Sequence, residues 1–411
     1  MRILCMSDAI GIPTGFARVI RELCFGLQKR GHEIGHIGWF QHSDLPQQQP
    51  QGMRCWYTNN QHYGADILDS VVNKFQPDVL LTIGDMWHLS YIADPNLCRT
   101  RRFFQWASYL SVDGEPVCGG LPPAIRPIVE DIDIPVAYTD YAENAVLKSI
   151  FDQETRNRIR TIYHGVDTNV FKPGDKKKRQ EIRAQYGLTD KFVFLTVCRN
   201  QSRKNIPELL RIWKKFSELP EIKDRAILWP HMYFDDPMGW KIDDLLQVLD
   251  LKNHSIMYFD QVAHSGSEMF LLPDDKLAEL YQIADAFVLL SGEGFGLPTF
   301  EAMATGLPCI LLDHSASAEL GAAGRAELVP VGGSLTWTGV HLTQRPVPDF
   351  DAAVKSFIKV FSNKSYRDSI AKAGHEFACQ YTWERVLDEW GAIFLEHEIP
   401  FVKQKKLEVV I

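Results

Sequence analysis

Short apolar runs alternate with amphipathic segments along most of the chain. The first run, "MRILCMSDA", has the composition of a buried strand. A loop with Gly11 and Gly15 follows, and then apolar residues recur at helical spacing until Gly31, after which "GHEIGHIGWF" has the pattern of a second strand. This order predicts a β-loop-α-β unit. It therefore predicts a parallel sheet that binds ligands at the carboxyl ends of its strands.

The alternation continues through both halves of the chain. It predicts further strands at 78–85, 102–114, 134–140, 191–200, 225–232, 255–262 and 285–291, separated by helical segments such as 206–219 and 274–284. The composition changes abruptly at "VFKPGDKKK", which is typical of a linker between domains.

The length of 411 residues also favours two domains, because it exceeds what one hydrophobic core usually organises. We expect an α/β protein with two Rossmann-like domains that face each other across a cleft. The domains would span residues 1–172 and 173–380. An aromatic helix at 381–411 would cross back to the first domain.

Composition and charge exclude several classes of function. Apolar residues make up 45% of the chain, but no apolar run is long enough to span a membrane, and Met1–Met6 lacks a basic leader, so we expect a cytoplasmic protein. The net charge of −8 argues against a broad nucleic-acid surface. The basic runs 172–183 and 402–406 are typical of a solvated linker with a helix start and of a frayed tail; contact with an anionic membrane surface or a polyanionic acceptor is the alternative. The eight scattered cysteines contain no C-x-x-C pair, so neither a disulfide framework nor a zinc site is indicated.

The segment "SGEGFGLPTFEAMATGLP" (291–308) combines a glycine-rich turn with a helix start. Glycines ahead of a helix N-terminus expose backbone N–H groups that bind phosphate. Two carboxylates in the same segment, Glu293 and Glu301, would repel phosphate but accept hydrogen bonds from vicinal hydroxyls. A nucleotide sugar carries both kinds of group. For Glu301 taken singly, a helix-start glutamate favoured by the dipole is the simpler interpretation.

A diphosphate also requires cations, and "TVCRNQSRKN" (196–205) supplies them at the end of another predicted strand. Arg199 offers a planar fork of donors and Lys204 a point charge, which together suit a phosphate leaving group. Arg203 is a third candidate, although a solvated surface arginine is the simpler interpretation.

Together these motifs resemble glycosyltransferase family 4, the group 1 glycosyl transferases, which are retaining enzymes of the GT-B fold. "EGFGLPTFEAMATGLP" is similar to the E-x7-E signature of that family, and "CRNQSRKN" to its R-x4-K phosphate clamp. "YHGVDTNVFKP" resembles its hinge segment, "QKRGHEIG" the end of its first βα unit, and "TWERVLDEW" its returning C-terminal helix.

The resemblance implies a role for each matching residue. Arg199 and Lys204 would hold the diphosphate of a donor such as a UDP- or GDP-sugar, Glu293 would contact the sugar hydroxyls and Glu301 the ribose. Gly15 would let the first loop approach the donor, and the nucleobase would lie near 257–261. The backbone N–H groups that assist at the phosphates would be those of Gly294, Phe295, Gly296 and Leu297.

The chain departs from the family at one position. Many members carry a first-domain histidine near the reacting carbon, where this chain reads "YLSVDGEPV". Asp113 is the candidate for that catalytic role, with Glu115 as a second candidate; an ordinary turn aspartate is the alternative interpretation of V-D-G.

The predicted activity is transfer of a sugar, with retention, from a nucleotide-diphosphate sugar to a hydroxyl acceptor. The acceptor would be a saccharide, a lipid-linked sugar, a small metabolite or a modified DNA base. No metal or other cofactor is expected, because the cations neutralise the diphosphate and no D-x-D-like motif is prominent. Three alternatives use the same site: a sugar-nucleotide epimerase, a phosphorylase and a non-catalytic nucleotide-sugar-binding protein. A dinucleotide-binding oxidoreductase is disfavoured, since no G-x-G-x-x-G follows the first strand.

Overall fold

The computed structural model of the protein describes residues 1–40, 52–58, 62–251, 255–259, 263–264, 272–337 and 342–408. The chain divides into two compact units. Unit 1 comprises Met1–Gly165, Thr338–Thr343 and Trp383–Ile411, and unit 2 comprises Val166–Trp337 and Gln344–Thr382. The two main passages between the units thus follow residues 165 and 382, whereas the sequence interpretation placed boundaries after 172 and 380.

Unit 1 is built on a parallel sheet of seven strands, in the order β3-β2-β1-β4-β5-β6-β7. The strands are β1 (Arg2–Asp8), β2 (Glu33–Trp39), β3 (Arg54–Tyr57), β4 (Val79–Gly84), β5 (Gln105–Leu110), β6 (Ile134–Ala137) and β7 (Arg160–Thr161). The central strands are apolar on both faces because helices cover both faces. The chain order reverses between β1 and β4, and such a reversal opens a ligand crevice in sheets of this type.

The helices of unit 1 are α1 (Gly15–Lys29), α2 (Leu68–Phe75), α3 (Arg126–Glu130), α4 (Asp140–Ser149), α5 (Gln153–Arg158) and the C-terminal helix (Trp383–Glu408). The C-terminal helix packs on α1 so closely that a Cβ on Gly26 would lie 2.1 Å from Leu387 Cδ1. Arg30 strengthens this contact by donating to Asp388 over 2.6 Å. The predicted C-terminal helix is therefore present, and it belongs to the first unit.

Unit 2 contains a parallel sheet of five strands in the order β12-β11-β10-β8-β9 and an antiparallel pair, β13-β14. The strands are β8 (Phe192–Val197), β9 (Ala226–His231), β10 (Ala286–Leu289), β11 (Cys309–Leu312), β12 (Glu327–Val329), β13 (Val331–Thr336) and β14 (Gln344–Pro348). The order reverses between β8 and β10, the two strands that the sequence had assigned to the cation segment and the glycine turn.

The described helices of unit 2 are α6 (Lys176–Gln185), α7 (Ile206–Ser217), α8 (Ile242–Val248), α9 (Asp274–Ile283), α10 (Leu297–Ala304), α11 (Ser315–Gly321), α12 (Phe350–Ser362) and α13 (Lys364–Ala378). Two strand predictions were too long. The stretch 102–114 forms a strand only at β5, because a 3-10 turn (Arg101–Phe103) precedes it and the chain leaves the sheet after Leu110. In 255–262, the described residues show one bridge, between Ile256 and Leu228, and 260–262 lie outside them.

The predicted α/β class is confirmed, and both units have the wound, Rossmann-like strand order. None of the described helices is both long and apolar enough to cross a membrane.

Candidate active site

The cation segment lies in the turn between β8 and α7. A 3-10 turn (Ser202–Lys204) leads to Asn205, whose left-handed backbone (φ 52°) starts the helix. The Asn205 side chain donates 2.8 Å hydrogen bonds to the carbonyls of Leu290 and Pro346. Since Leu290 directly follows β10, this amide fixes the cation turn against the end of the neighbouring strand.

The glycine turn lies between β10 and α10 and is held by Ser315, the first residue of α11. The Glu293 N–H donates to Ser315 Oγ over 2.9 Å, and the Ser315 hydroxyl donates to the Glu293 carbonyl over 3.0 Å. Gly296 adopts a left-handed conformation (φ 95°) directly before α10. Pro298 then occupies the first turn, where a missing N–H does no harm. The helix N-terminus predicted from the sequence is confirmed.

The centre of the site is a buried ion pair between the two turns. Lys204 Nζ lies 2.5 Å from Glu293 Oε1 and 2.6 Å from Oε2, and the two side chains are only 8% and 7% exposed. Ser291 donates to the same carboxylate over 2.6 Å, and Arg203 lies 3.7 Å from it. From the sequence, Lys204 and Glu293 are expected to contact different parts of one ligand, and their pairing with each other is not predicted.

Burial and neighbouring charge act on the pKa values of this pair. Burial alone would raise the pKa of Glu293, but Lys204, Arg203 and the hydrogen bonds from Lys204 and Ser291 outweigh it and hold that pKa below its usual value. Burial and the charge of Arg203 lower the pKa of Lys204, and Glu293 opposes them. Arg203 is thus part of the site. The interpretation of Arg203 as a solvated surface residue was wrong, since its side chain is 24% exposed and donates to the Gly292 carbonyl.

Arg199 is held by a carboxylate that the sequence analysis missed. Its Nε donates to Asp236 Oδ2 over 2.8 Å, and its Nη2 is 3.4 Å from Oδ1. Asp236 is fully buried and also accepts from the Met238 N–H over 2.8 Å, whereas the Arg199 side chain is 41% exposed. A fixed, half-exposed guanidinium can bind an anion without first losing rotational freedom. The only sequence signal for Asp236 was its place shortly after a predicted strand.

Glu301 lies in the second turn of α10 and is buried. The hydroxyl of Tyr281, on α9, donates to Glu301 Oε2 over 2.9 Å. That contact fixes the carboxylate. The E-x7-E spacing could not reveal this interaction, just as it could not reveal the pairing of Glu293 with Lys204. Thr299, also in the first turns of α10, is fully buried, and its hydroxyl has no hydrogen-bond partner among the described residues.

The first-domain candidates lie at the carboxyl edge of the other sheet. Gly15 is the first residue of α1, directly after Thr14, which accepts from the Ala17 N–H and donates to Asp8. Asp113 is half-buried and follows β5. Glu115 accepts from the Gly120 N–H within its own loop and pairs with Lys148 on α4 at 3.0 Å, so it fixes this loop against α4. Of the two carboxylates, Asp113 remains the candidate near a strand end.

Two arginines of the first basic run, 172–183, make contacts that stabilise the fold. Arg179 and Arg183 both bind Asp285, at 2.6 and 2.9 Å, and Arg183 also donates to the Ile283 and Leu188 carbonyls. The interpretation of 172–183 as wholly solvated was therefore wrong at Arg183, whose side chain is only 7% exposed. The side chains of the second run, 402–406, lie outside the described residues.

Residues 269–377, which include the glycine turn and α10, match the family described as Glycosyl transferases group 1. The chain is 28% identical over 263 residues to D-inositol 3-phosphate glycosyltransferase of a Nocardioides species, covering 62% of this chain and 52% of the relative. It is 34% identical over 161 residues to mannosylfructose-phosphate synthase of Agrobacterium fabrum, covering 39% and 33%. The chain thus spans about half or less of the length of these relatives.

Solved structures match nearly the whole chain. Sucrose-phosphate synthase from Thermosynechococcus elongatus has a TM-score of 0.74 at 16% identity, covering 97% of this chain and all of the other. Anabaena HepE in complex with UDP-glucose has a TM-score of 0.71 at 14% identity, covering 96% and 100%. At such identities the similarity shows the fold, which is GT-B, as expected from the sequence.

Proposed function

We propose that the protein is a retaining glycosyltransferase of family 4 that moves a sugar from a nucleotide-diphosphate sugar to a hydroxyl acceptor. The observation that carries the proposal is the edge of unit 2 where the strand order reverses. There Arg199, Arg203 and Lys204 meet a glycine turn and a helix N-terminus that bear two buried glutamates. The name of the relative D-inositol 3-phosphate glycosyltransferase supports glycosyl transfer, and the UDP-glucose complex of HepE supports a nucleotide-sugar donor.

Each part of the donor has a suitable partner in this edge. Arg199, held by Asp236, and Lys204 neutralise the diphosphate, and the N–H groups from Gly294 to Leu297 add hydrogen bonds. Glu301, fixed by Tyr281, accepts from the ribose hydroxyls. Lys204 without donor is neutralised by Glu293, so a bound diphosphate would draw the ammonium away and free the carboxylate for the sugar hydroxyls.

The proposed reaction exchanges one bond for another at the anomeric carbon. The bond from that carbon to the diphosphate oxygen breaks, and a bond to the acceptor oxygen forms on the same face. The acceptor proton passes to the departing phosphate oxygen. Arg199 and Lys204 stabilise the charge that develops on this oxygen, which is the largest contribution expected from the protein. Asp113 is proposed to lie near the reacting carbon. Because two cations serve the diphosphate, we propose that no metal and no further cofactor is needed.

The test is sugar transfer by the full chain with UDP- and GDP-sugars, with the anomeric configuration of the product read by NMR. We expect retention, full activity in EDTA, and a loss of about 100- to 1,000-fold in kcat for Arg199→Ala. Arg211→Ala is the matched control, since Arg211 is exposed and pairs with Glu208 on α7. Full turnover by Arg199→Ala at saturating donor, or an isomerised donor without acceptor, would contradict the proposal.

A further inference from the structure

The Lys204–Glu293 pair consists of two groups that the donor is proposed to bind. Lys204 Nζ lies 2.5 and 2.6 Å from the two carboxylate oxygens of Glu293, and both side chains are almost fully buried. Without a ligand, each group therefore has its counter-charge within the protein. Loss of one partner leaves the other charge buried and unpaired, which is strongly unfavourable. A ligand that takes only one group of the pair thus binds less tightly than a ligand that satisfies both.

The other neighbours of Glu293 do not take the place of Lys204. Ser291 donates one hydrogen bond to Glu293 Oε1 over 2.6 Å, but its hydroxyl carries no charge. Arg203 Nη1 lies 3.7 Å from Oε2, which is beyond hydrogen-bonding distance, and it donates to the Gly292 carbonyl instead. Among the residues that the structure describes, Lys204 is the one cation that donates to this carboxylate.

The two parts of a nucleotide sugar act on this pair in different ways. The diphosphate is an anion and competes with Glu293 for Lys204. The sugar hydroxyls are donors and can replace Lys204 at the carboxylate, since an ionised carboxylate only accepts hydrogen bonds. An intact nucleotide sugar therefore satisfies both members of the pair. A nucleoside diphosphate takes Lys204 but supplies no donor to Glu293.

We infer that the Lys204–Glu293 pair makes the site select the intact nucleotide sugar over the nucleoside diphosphate that remains after transfer. The inference rests on the proposed function and adds a specificity to it. Once the sugar has left, the diphosphate alone competes with Glu293 for Lys204, so re-formation of the buried pair favours release of the product. The nucleoside diphosphate is therefore a weak inhibitor.

The first experiment compares two ligands of equal charge on the wild-type full chain. Calorimetry gives the Kd of UDP-glucose and of methyl-UDP, which is UDP with a methyl ester on its terminal phosphate and no sugar hydroxyls. GDP-mannose and methyl-GDP form the corresponding guanine pair. For the base that the protein accepts, we expect the nucleotide sugar to bind at least about tenfold more tightly than the methyl ester. Equal affinities overturn the inference.

The second experiment assigns this preference to the pair with Glu293→Gln. The amide keeps the size of the side chain but removes its charge, so the diphosphate no longer competes with a carboxylate for Lys204. The methyl ester should then bind at least about tenfold more tightly than it binds the wild type. The preference for the nucleotide sugar should fall to about threefold or less. If Glu293 only contacted the sugar, the affinity for the methyl ester would not change.

Glu208→Gln is the matched control for the loss of a negative charge. Glu208 lies in the first turn of α7, shortly after Lys204, but it pairs with the exposed Arg211 at 3.0 Å. The variant should therefore show the preference of the wild type.

Ser291→Ala changes the same carboxylate without removing its charge, and it serves as the test if Glu293→Gln does not fold. It removes the hydrogen bond that still holds Glu293 after Lys204 has moved to the diphosphate. The methyl ester should bind about threefold more weakly than it binds the wild type, and the preference for the nucleotide sugar should increase. The two variants should thus change the preference in opposite directions.

The outcomes separate this inference from the proposed function. A methyl ester that binds Glu293→Gln no more tightly than the wild type overturns the inference, even if the wild type transfers sugar. An unchanged or smaller preference in Ser291→Ala also overturns it. If the wild type neither bound, transferred nor hydrolysed any nucleotide sugar, the result would instead count against the proposed function.

Discussion

The carboxyl edges of the two parallel sheets occupy the same place in their folds but carry different sets of charged groups. Both lie where the strand order reverses, at β1 and β4 in unit 1 and at β8 and β10 in unit 2. The unit 2 edge presents Arg199, Arg203 and Lys204, and the unit 1 edge presents carboxylates and aromatic rings. The fold supplies the position of a site, and the loop sequences supply its chemistry.

The two edges also differ in how they satisfy buried polar groups. In unit 2, Lys204 pairs with Glu293 and the buried carboxylate of Asp236 pairs with Arg199, so its charges are fixed before any ligand binds. In unit 1, the Tyr138 hydroxyl has no partner within the described part of the chain. One edge is thus a preformed set of charges, and the other contains a buried hydroxyl that has no partner among the described residues.

Lys204→Ala should give the largest effect. It removes the cation that we propose to bind the diphosphate, and it leaves Glu293 buried without its main counter-charge. Loss of one partner of a buried pair is expected to lower the free energy of unfolding by about 3–5 kcal/mol. The rate of transfer should fall at least about 100-fold. Urea unfolding and donor turnover measure the two effects.

A double variant separates those effects. Lys204→Met with Glu293→Gln removes both charges, so most of the stability should return while the activity stays low. Lys215→Ala, an exposed lysine on α7, is the control. If the double variant were as unstable as Lys204→Ala, an unpaired Glu293 would not be the source of the lost stability. The Lys204–Glu293 pair would then not be what distinguishes the unit 2 edge from the unit 1 edge.

Gly296→Ala should have an intermediate effect, confined to the unit 2 edge. A side chain at φ 95° is unfavourable by about 1–2 kcal/mol, and relief of this strain would turn the N–H groups that begin α10. We expect a donor KM about tenfold higher and an unchanged acceptor KM. Gly324→Ala makes the same kind of change at φ 75° in open space, so it should lower the stability equally and leave the donor KM unaltered. Equal donor KM values in the two variants would remove the helix start from the site.

The elements that form the unit 2 edge were predictable, because each follows from a local sequence pattern. Apolar runs marked β8 and β10, and glycine with Pro298 marked the start of α10. The pairing of Lys204 with Glu293 was not predictable. It joins two turns 89 residues apart, and only the strand order brings those turns together. Asp236 and Tyr281 were not predicted as parts of the site for the same reason. A buried residue that contacts its partner from a different element leaves no periodic pattern in the sequence.

The lengths of strands and the burial of charged residues were predicted less well from the sequence. The strand predicted at 102–114 was too long, because apolar and β-branched residues continue past β5 into the loop in which Glu115 pairs with Lys148. Arg183 was taken for a solvated residue because it stands in a basic run. Only its contacts with Asp285 and with the carbonyls of Ile283, Leu188 and Lys191 reveal that it is buried.

Acid should have no effect on the stability at neutral pH, where the buried histidines of both units are uncharged, and should lower the stability at more acidic pH. Burial lowers the pKa of His164 in unit 1 to about 3 and of His231 in unit 2 to about 4. Both values lie below the usual 6.5, so the unfolded state takes up protons first as the pH falls. Stability is therefore complete above about pH 6.5 and decreases below it by about 1.4 kcal/mol per pH unit for each histidine.

Urea unfolding between pH 7 and pH 4 tests this expectation. His231→Gln and His164→Gln should each make the pH dependence shallower by one proton, whereas His62→Gln, at an exposed position, should not change it. The contribution of His231 should end near pH 4, while that of His164 should continue toward pH 3, because its pKa in the folded protein is lower. An unchanged slope in either variant would mean that the histidine it replaces has the same pKa in the folded and unfolded states.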